Sequence, residues 1–380
     1  MAETVLEKLN ALDPAFLAEI VRLDQNNPSF KVTEWSVKRL SDKGIRNPDG
    51  LWLFSGIGND GQGALPWSVV LKIIQPPDEE LSPTTPNHWK REMLAIQSGF
   101  LESLHGPIKT PRFYRVEEAL KEVWIWQEYV EDCRRDSWAL EDYAFAAYQL
   151  GIWNGTTSSR KSFPDHPWFA RQHYQFWYTE ANPERDFQFW LNQKHIVGET
   201  RKRYDRLWAD RELFYQVLDT LPQTFSHLDS QRRNLFIRKG SENQNELVLI
   251  DWAQCGLGPL GAELYALTGM SAGLLEWQPA ALGQLDEATF KSYVRGLNEA
   301  GWSGDVEIVR LGYVTWLSVW FGVVFPNIVS LWCTPDFRPY GLQFFGFAEE
   351  GLCLQWLPLL SYSLDCADEA RFLMKKLGMG

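Results

Sequence analysis

The chain runs to 380 residues and 44.0 kDa, long enough for two units that each enclose a core. Hydrophobic residues at 45% and charged residues at 23% are the proportions of a soluble globular protein. A net charge of -12 and an isoelectric point near 5.1 argue against a dedicated nucleic-acid binder, which presents a basic face, and suit a small cationic partner.

Residues 1 to about 30 read as a helical preface, with Leu6, Leu9, Leu12, Phe16, Leu17 and Ile20 as an apolar stripe interrupted at Pro14. The opening residues lack the basic and apolar regions of a secretory signal, so a reducing cytoplasm is expected. Val32–Leu40 and Gly50–Phe54 predict two strands joined by the turn Ser41–Asp49. The glycines at 56, 58, 61 and 63 are read as the next turn. Trp67–Ile74 is strongly strand-like with a single charge, Lys72, inside it. A buried ammonium needs an anionic partner, unless Lys72 snorkels from an edge strand. After a Pro- and Thr-rich turn, Asn87–Leu101 predicts a helix with Trp89, Met93, Ile96 and Phe100 on one face. It carries Glu92, with Glu102 as the alternative partner for Lys72.

Val123–Val130 predicts a buried strand running into Glu131-Asp132, the best boundary between two units, 1–130 and 131–380. Trp138–Trp153, capped by Asp136 or Ser137, and Glu212–Leu221, stopped by Pro222, read as helices. Between them, Trp168, Phe169, Tyr174, Phe176, Trp177, Tyr178, Phe187, Phe189 and Trp190 either line a pocket or pack an enlarged core. Leu311–Trp332 lacks charge and is long enough to span a membrane. Its polar residues and Pro326 favour a buried helix broken at that proline, with no basic flank to set an orientation. Cys133, Cys255, Cys333, Cys353 and Cys366 are scattered, so neither a zinc site nor a disulfide framework follows.

The richest stretch is Phe225–Phe236, followed by Leu247–Trp252. Leu235–Arg238 and Leu247–Ile250 flank eight residues of turn chemistry, so a hairpin brings Asn234 beside Asp251. An amide oxygen and a carboxylate there suit Mg2+ carried on nucleotide phosphates, and Asp229 is placed to accept a proton from an acceptor hydroxyl. Taken singly, His227, Asp229 and Asn234 could merely satisfy backbone groups of a loop; the ordered set with Asp251 points to phosphoryl transfer.

His227-x-Asp229-x-x-x-x-Asn234, then Ile250-Asp251-Trp252, Gly258-Pro259 and Glu263-Leu264, resembles the aminoglycoside phosphotransferase and choline kinase group of the protein-kinase-like superfamily. The resemblance implies an α+β, bilobal fold with a small antiparallel-sheet N-lobe and a larger, mainly helical C-lobe. It implies Asp229 as catalytic base, Asn234 and Asp251 as Mg2+ ligands, and Lys72 on the α- and β-phosphates with Glu92 as its partner. The backbone of Gln127 and Tyr129 would meet the adenine, and the turn holding Ser41 and Gly44 would cover the phosphates. His227 would brace the loop, while Arg232 and Arg233 would stabilise phosphoryl charge or pair with nearby acids. The chain departs from the pattern with Leu228 where the family usually has Gly, Ser230 where it is often apolar, and Glu263 where it usually has Asp. No Arg precedes Asp229, and Trp252-Ala253 follows Asp251 in place of Phe-Gly, so a small hydroxylated acceptor is expected rather than a protein. ATP is the expected nucleotide, with GTP open. A silent nucleotide-binding module is the reading from another class.

Overall fold

The computed structural model describes residues 2–40, 50–104, 106–119, 121–134, 137–158, 165–173, 195–326, 329 and 338–379. The preface forms two helices, α1 (Ala2–Asn10) and α2 (Pro14–Asp24). Asp13 accepts a hydrogen bond from the Ala15 amide, and Pro14 takes the first helical position, where a missing N–H is no loss. Leu9, Leu17, Ile20 and Val21 are buried against Phe54, Trp124 and Trp126 of a five-stranded sheet.

That sheet has the order β1-β2-β3-β6-β5 and is antiparallel throughout: β1 (Lys31–Arg39), β2 (Leu51–Asn59), β3 (Ala64–Ile74), β5 (Phe113–Ala119) and β6 (Glu122–Glu128). Gly56 and Gly58 lie within β2, not in the turn expected from the sequence; only Gly61 and Gly63 belong to the hairpin end. A Cβ on Gly56 would stand 1.9 Å from the Glu34 carbonyl oxygen, and one on Gly58 would meet the Phe30 ring. Both glycines admit the close approach of β1 at its register shift between Val32 and Glu34. The expected helix Asn87–Leu101 is also corrected: α3 spans Arg91–Gln97 and ends where Gly99 turns left-handed at φ 69°.

The remainder is mainly helical. Helix α4 (Leu140–Ser158) crosses α6 (Leu282–Glu299); α5 (Gly198–Thr220), α7 (Val306–Val319), α8 (Arg338–Phe345) and α9 (Glu349–Leu377) pack around them. Helix α5 stops before Pro222 as expected but begins fourteen residues earlier than its predicted start. In it Phe214, Val217 and Leu218 are buried, while Leu213 is exposed. Two small sheets join the helices: β10 (Gly256–Pro259) pairs with β7 (Gln223–Ser226), and β9 (Asn245–Leu249) lies between β4 (Ile108–Lys109) and β8 (Leu235–Lys239).

Val306–Val324 is long and apolar enough to cross a membrane, and 78% of that window is buried inside the protein. Pro326 itself is still helical, and residues 327 and 328, where the expected break would show, lie outside the described residues; the helix widens just before the proline, where the Phe325 amide donates to the carbonyl of Trp320. Such a wide turn accommodates a proline that has no N–H to give the preceding turn. Trp168 and Phe169 are buried and pack edge-on against Phe100, which supports the core reading for these two. Tyr174, Phe176, Trp177, Tyr178, Phe187, Phe189 and Trp190 lie outside the described residues.

Candidate active site

The β8–β9 hairpin does what its sequence requires. Leu235 pairs with Leu249, and the Ile250 amide donates to the Asn234 carbonyl at 3.0 Å, so Asn234 and Asp251 leave the hairpin side by side. The Asn234 side-chain amide donates to the Asp229 backbone carbonyl at 2.9 Å and to its carboxylate at 2.8 Å. Its own oxygen is thereby turned away from Asp229. The other Asp229 oxygen accepts from Gln231 at 2.9 Å, and Asp229 is half-buried.

Across the chain, Lys72 on β3 lies 2.6 Å from Glu92 on α3 and 2.6 Å from Asp251. The anionic partner demanded by the buried strand is therefore Glu92, not Glu102, and Asp251 is a second one. Glu92 also accepts from the Trp252 amide at 3.1 Å, which ties α3 to the segment after β9. Burial works against the Lys72 charge, but Asp251 and Glu92 outweigh it and hold its pKa above the ordinary lysine value. Burial would raise the Asp251 carboxyl; the Lys72 ammonium overrides this and holds it below the carboxylate range. Burial does raise Glu92, the deeper of the two acids. Asp251 sits at φ 62°, in the left-handed region, and its side chain is still 40% exposed. Among the described residues no group of three or more His, Cys, Asp or Glu side chains could hold a metal. The oxygens of Asn234 and Asp251 fit a hard cation whose other ligands arrive with phosphate.

His227 is fully buried, its ring 3.0 Å from the Ile250 carbonyl oxygen and edge-on to Trp252. These contacts tie the loop to the residue before Asp251. Burial depresses its pKa to about 4, so the ring is neutral near pH 7. Glu263 accepts the His227 amide at 2.5 Å, and burial raises its carboxyl to about 7. Both arginines have acid partners. Arg232 bonds Asp132 at 3.1 Å and lies over Trp138; Arg233 bonds Glu276 at 2.7 Å and lies over Phe344.

Gln127 is the last residue but one of β6, buried between β3 and β5, and Tyr129 stands exposed just past the strand's end at Glu128. Ser41 and Gly44 lie outside the described residues.

Sequence reasoning passed over Arg91. This buried guanidinium makes no ion pair among the described residues and donates to the carbonyls of Trp168 (2.8 Å), Pro83 (2.8 Å), Ala253 (3.0 Å), Thr85 and Pro86. Its position next to Glu92 was the available signal. Tyr265, which donates to the Leu228 carbonyl at 2.8 Å, carried none, because an aromatic in an apolar run reads as core.

A sequence profile of a phosphotransferase enzyme family matches residues 105–302. Among solved structures, an aminoglycoside phosphotransferase from Alicyclobacillus acidocaldarius superposes with a TM-score of 0.51 at 12% identity, over 93% of this chain and 95% of that one. The amicoumacin kinase hAmiN, solved with AMP-PNP, Ca2+ and Ami, gives 0.50 at 11% identity, over 94% and 98%. At such identities these two relatives speak for the fold. No curated protein matches the sequence significantly.

Proposed function

Because the chain belongs to the phosphotransferase enzyme family, we propose that it moves the γ-phosphoryl group of ATP, carried with Mg2+, to a hydroxyl of a small molecule. The observation that carries this reading is the convergence of Lys72, Glu92 and Asp251 in one ion cluster, with Asn234 joining Asp251 to Asp229. In the transfer, the acceptor oxygen bonds to the γ-phosphorus, the bond to the β-phosphate oxygen breaks, ADP leaves, and the hydroxyl proton passes to Asp229. Lys72, held by Glu92, grips the α- and β-phosphates. Asn234 and Asp251 hold the cation, which when bound neutralises charge on the phosphates. Gln127 and Tyr129 offer backbone groups to the adenine. Residues 1–130 form the nucleotide unit and 131–380 the catalytic and acceptor unit. The hAmiN structure, with its nucleotide analogue and divalent ion, supports the same partners here. The net charge of -12 favours a cationic acceptor. Free thiols at Cys133, Cys255 and Cys366 suit a reducing, cytoplasmic setting.

The test is ADP release from Mg·ATP against a panel of hydroxylated metabolites and aminoglycosides. Asp229→Ala should lower turnover by roughly 10²–10⁴-fold with nucleotide affinity kept, the range for a lost general base. Asp251→Ala should lose Mg2+-dependent nucleotide binding. Full turnover in either variant refutes the assignment. Tight Mg·ATP binding with no ADP released across the panel would mark a silent nucleotide-binding module, and phosphate on added polypeptides a protein kinase.

A further inference from the structure

We propose that Tyr265 is a positioning residue that locks the backbone of the loop carrying Asp229, a lock this chain requires because residue 228 is leucine. The inference rests on Asp229 being the base. Leu228 stands at φ 61°, a conformation that L side chains adopt reluctantly and glycine adopts freely. Its side chain is fully buried and fills the space over Gly258, where a Cβ would come within 2.8 Å of the Leu228 Cδ2. Packing thus anchors the side chain, while the orientation of the following peptide is set by other contacts.

The Tyr265 hydroxyl supplies one of these contacts. It donates to the Leu228 carbonyl at 2.8 Å, and that carbonyl shares a peptide plane with the Asp229 amide. Fixing the plane fixes where the Asp229 Cα sits and removes one of the rotations that aim its side chain. The phenol itself is immobile: its ring stacks on Trp316 at 5.3 Å and lies 5.2 Å from Trp320. Burial, with the Asp229 charge second, keeps the hydroxyl protonated and therefore a donor. The ties on either side come from the same segment. The Glu263 carboxylate takes the His227 amide at 2.5 Å, and the Glu263 carbonyl takes the Ser230 hydroxyl at 2.9 Å. Residues 227, 228 and 230 are thus each held from 263–265. The wide helical turn Tyr265–Met270 begins at the tyrosine, and such turns recur at functional sites.

The experiment compares Tyr265→Phe, Leu228→Gly and the double variant, with Mg·ATP as the probe and ADP release as the readout. Tyr265→Phe should lower kcat about tenfold with the KM for ATP within about twofold, since the nucleotide cluster around Lys72 is not touched. On the Leu228→Gly background, where the left-handed backbone is unstrained, the same change should lower kcat less than about threefold. Hydrogen exchange of the 225–236 peptide should quicken in Tyr265→Phe and stay unchanged in β3 and α3. Unchanged kcat with unchanged exchange overturns the proposal, as does an equal fall in both backgrounds. Should the glycine variants unfold, the kcat-against-KM split and the exchange of Tyr265→Phe decide alone. Asp229→Ala in parallel separates the two failures: if it keeps turnover the base assignment falls, whereas if it is inactive and Tyr265→Phe is normal only the positioning role falls.

Discussion

His227 and Glu263 touch beside the Asp229 loop, are both fully buried, and titrate in opposite senses. Burial lowers His227 from 6.5 to about 4, so the unfolded chain binds more protons across that window; this contribution is present above pH 6.5 and is lost as the pH falls. Burial raises Glu263 from 4.5 to about 7, so the folded protein binds more protons there; this contribution is present below pH 4.5 and is lost as the pH rises through 7. Between about 4.5 and 6.5 the two slopes oppose, each worth on the order of 3 kcal/mol over its full window. Glu263→Gln keeps an acceptor for the His227 amide and removes one slope. Urea unfolding of this variant should show stability climbing more steeply than wild type from pH 4.5 to 6.5, with no decline toward 7. Identical profiles would contradict the assignment of the slope to Glu263. Residues of this kind differ in how openly the sequence declares them. Asp229, Asn234, Asp251 and Lys72 were readable because their chemistry resides in the side chain and their spacing implied a hairpin. Gln127 and Tyr129 rest on alignment, since backbone contacts leave no side-chain mark. The strain at Leu228 was signalled only by the absence of a glycine.

Helices α4 and α6 meet backbone to backbone. A Cβ on Gly151 would stand 2.1 Å from the Tyr293 carbonyl oxygen, and one on Gly296 would stand 2.2 Å from that of Tyr148. Alanine gains about 1 kcal/mol over glycine in a helix, but here the obstacle is a neighbouring main chain that cannot rotate aside. Gly151→Ala and Gly296→Ala are each expected to destabilise by about 2 kcal/mol or more in chemical denaturation. Gly283→Ala, on the same α6 and with its nearest neighbour 3.8 Å away, should be neutral or slightly stabilising. Equal behaviour of all three would mean that the helices part easily. Periodicity could not have shown this crossing, because glycine reads as a breaker until its neighbour is known. For a related reason α5 was seen only in its apolar second half; its first half is rich in arginine and aspartate, with Tyr204, Leu207 and Trp208 as the buried face. Strand β5 went unread because Phe113–Ala119 holds two glutamates and an arginine at the sheet edge.

The sheet and the helical region are joined through α3, and that joint depends on Arg91. All five of its N–H donors are used on carbonyls drawn from three places: the 83–86 turn, Trp168, and Ala253 just after Asp251. Glu92, next in sequence, makes the contacts to Lys72 and to the Trp252 amide. One helical turn therefore holds the ion cluster to the segment that carries Asp251. Burial lowers the Arg91 pKa to about 10, which still leaves the guanidinium charged near pH 7. Removing it by Arg91→Met would take from these carbonyls the donors that Arg91 supplies, at roughly 1–3 kcal/mol for each one left unsatisfied. We expect a loss of at least about 3 kcal/mol of stability, the summed penalty being relieved in part by rearrangement of the 83–86 turn. Nucleotide affinity should fall with it, because Glu92 loses its neighbouring anchor. Arg91→Lys has three donors on one centre in place of a planar fork, so it should recover less than half of either loss. Denaturant unfolding with parallel Mg·ATP titration measures both. A methionine variant within 1 kcal/mol of wild type, binding nucleotide normally, would mean that the two regions are held together by apolar packing and the Lys72 cluster alone.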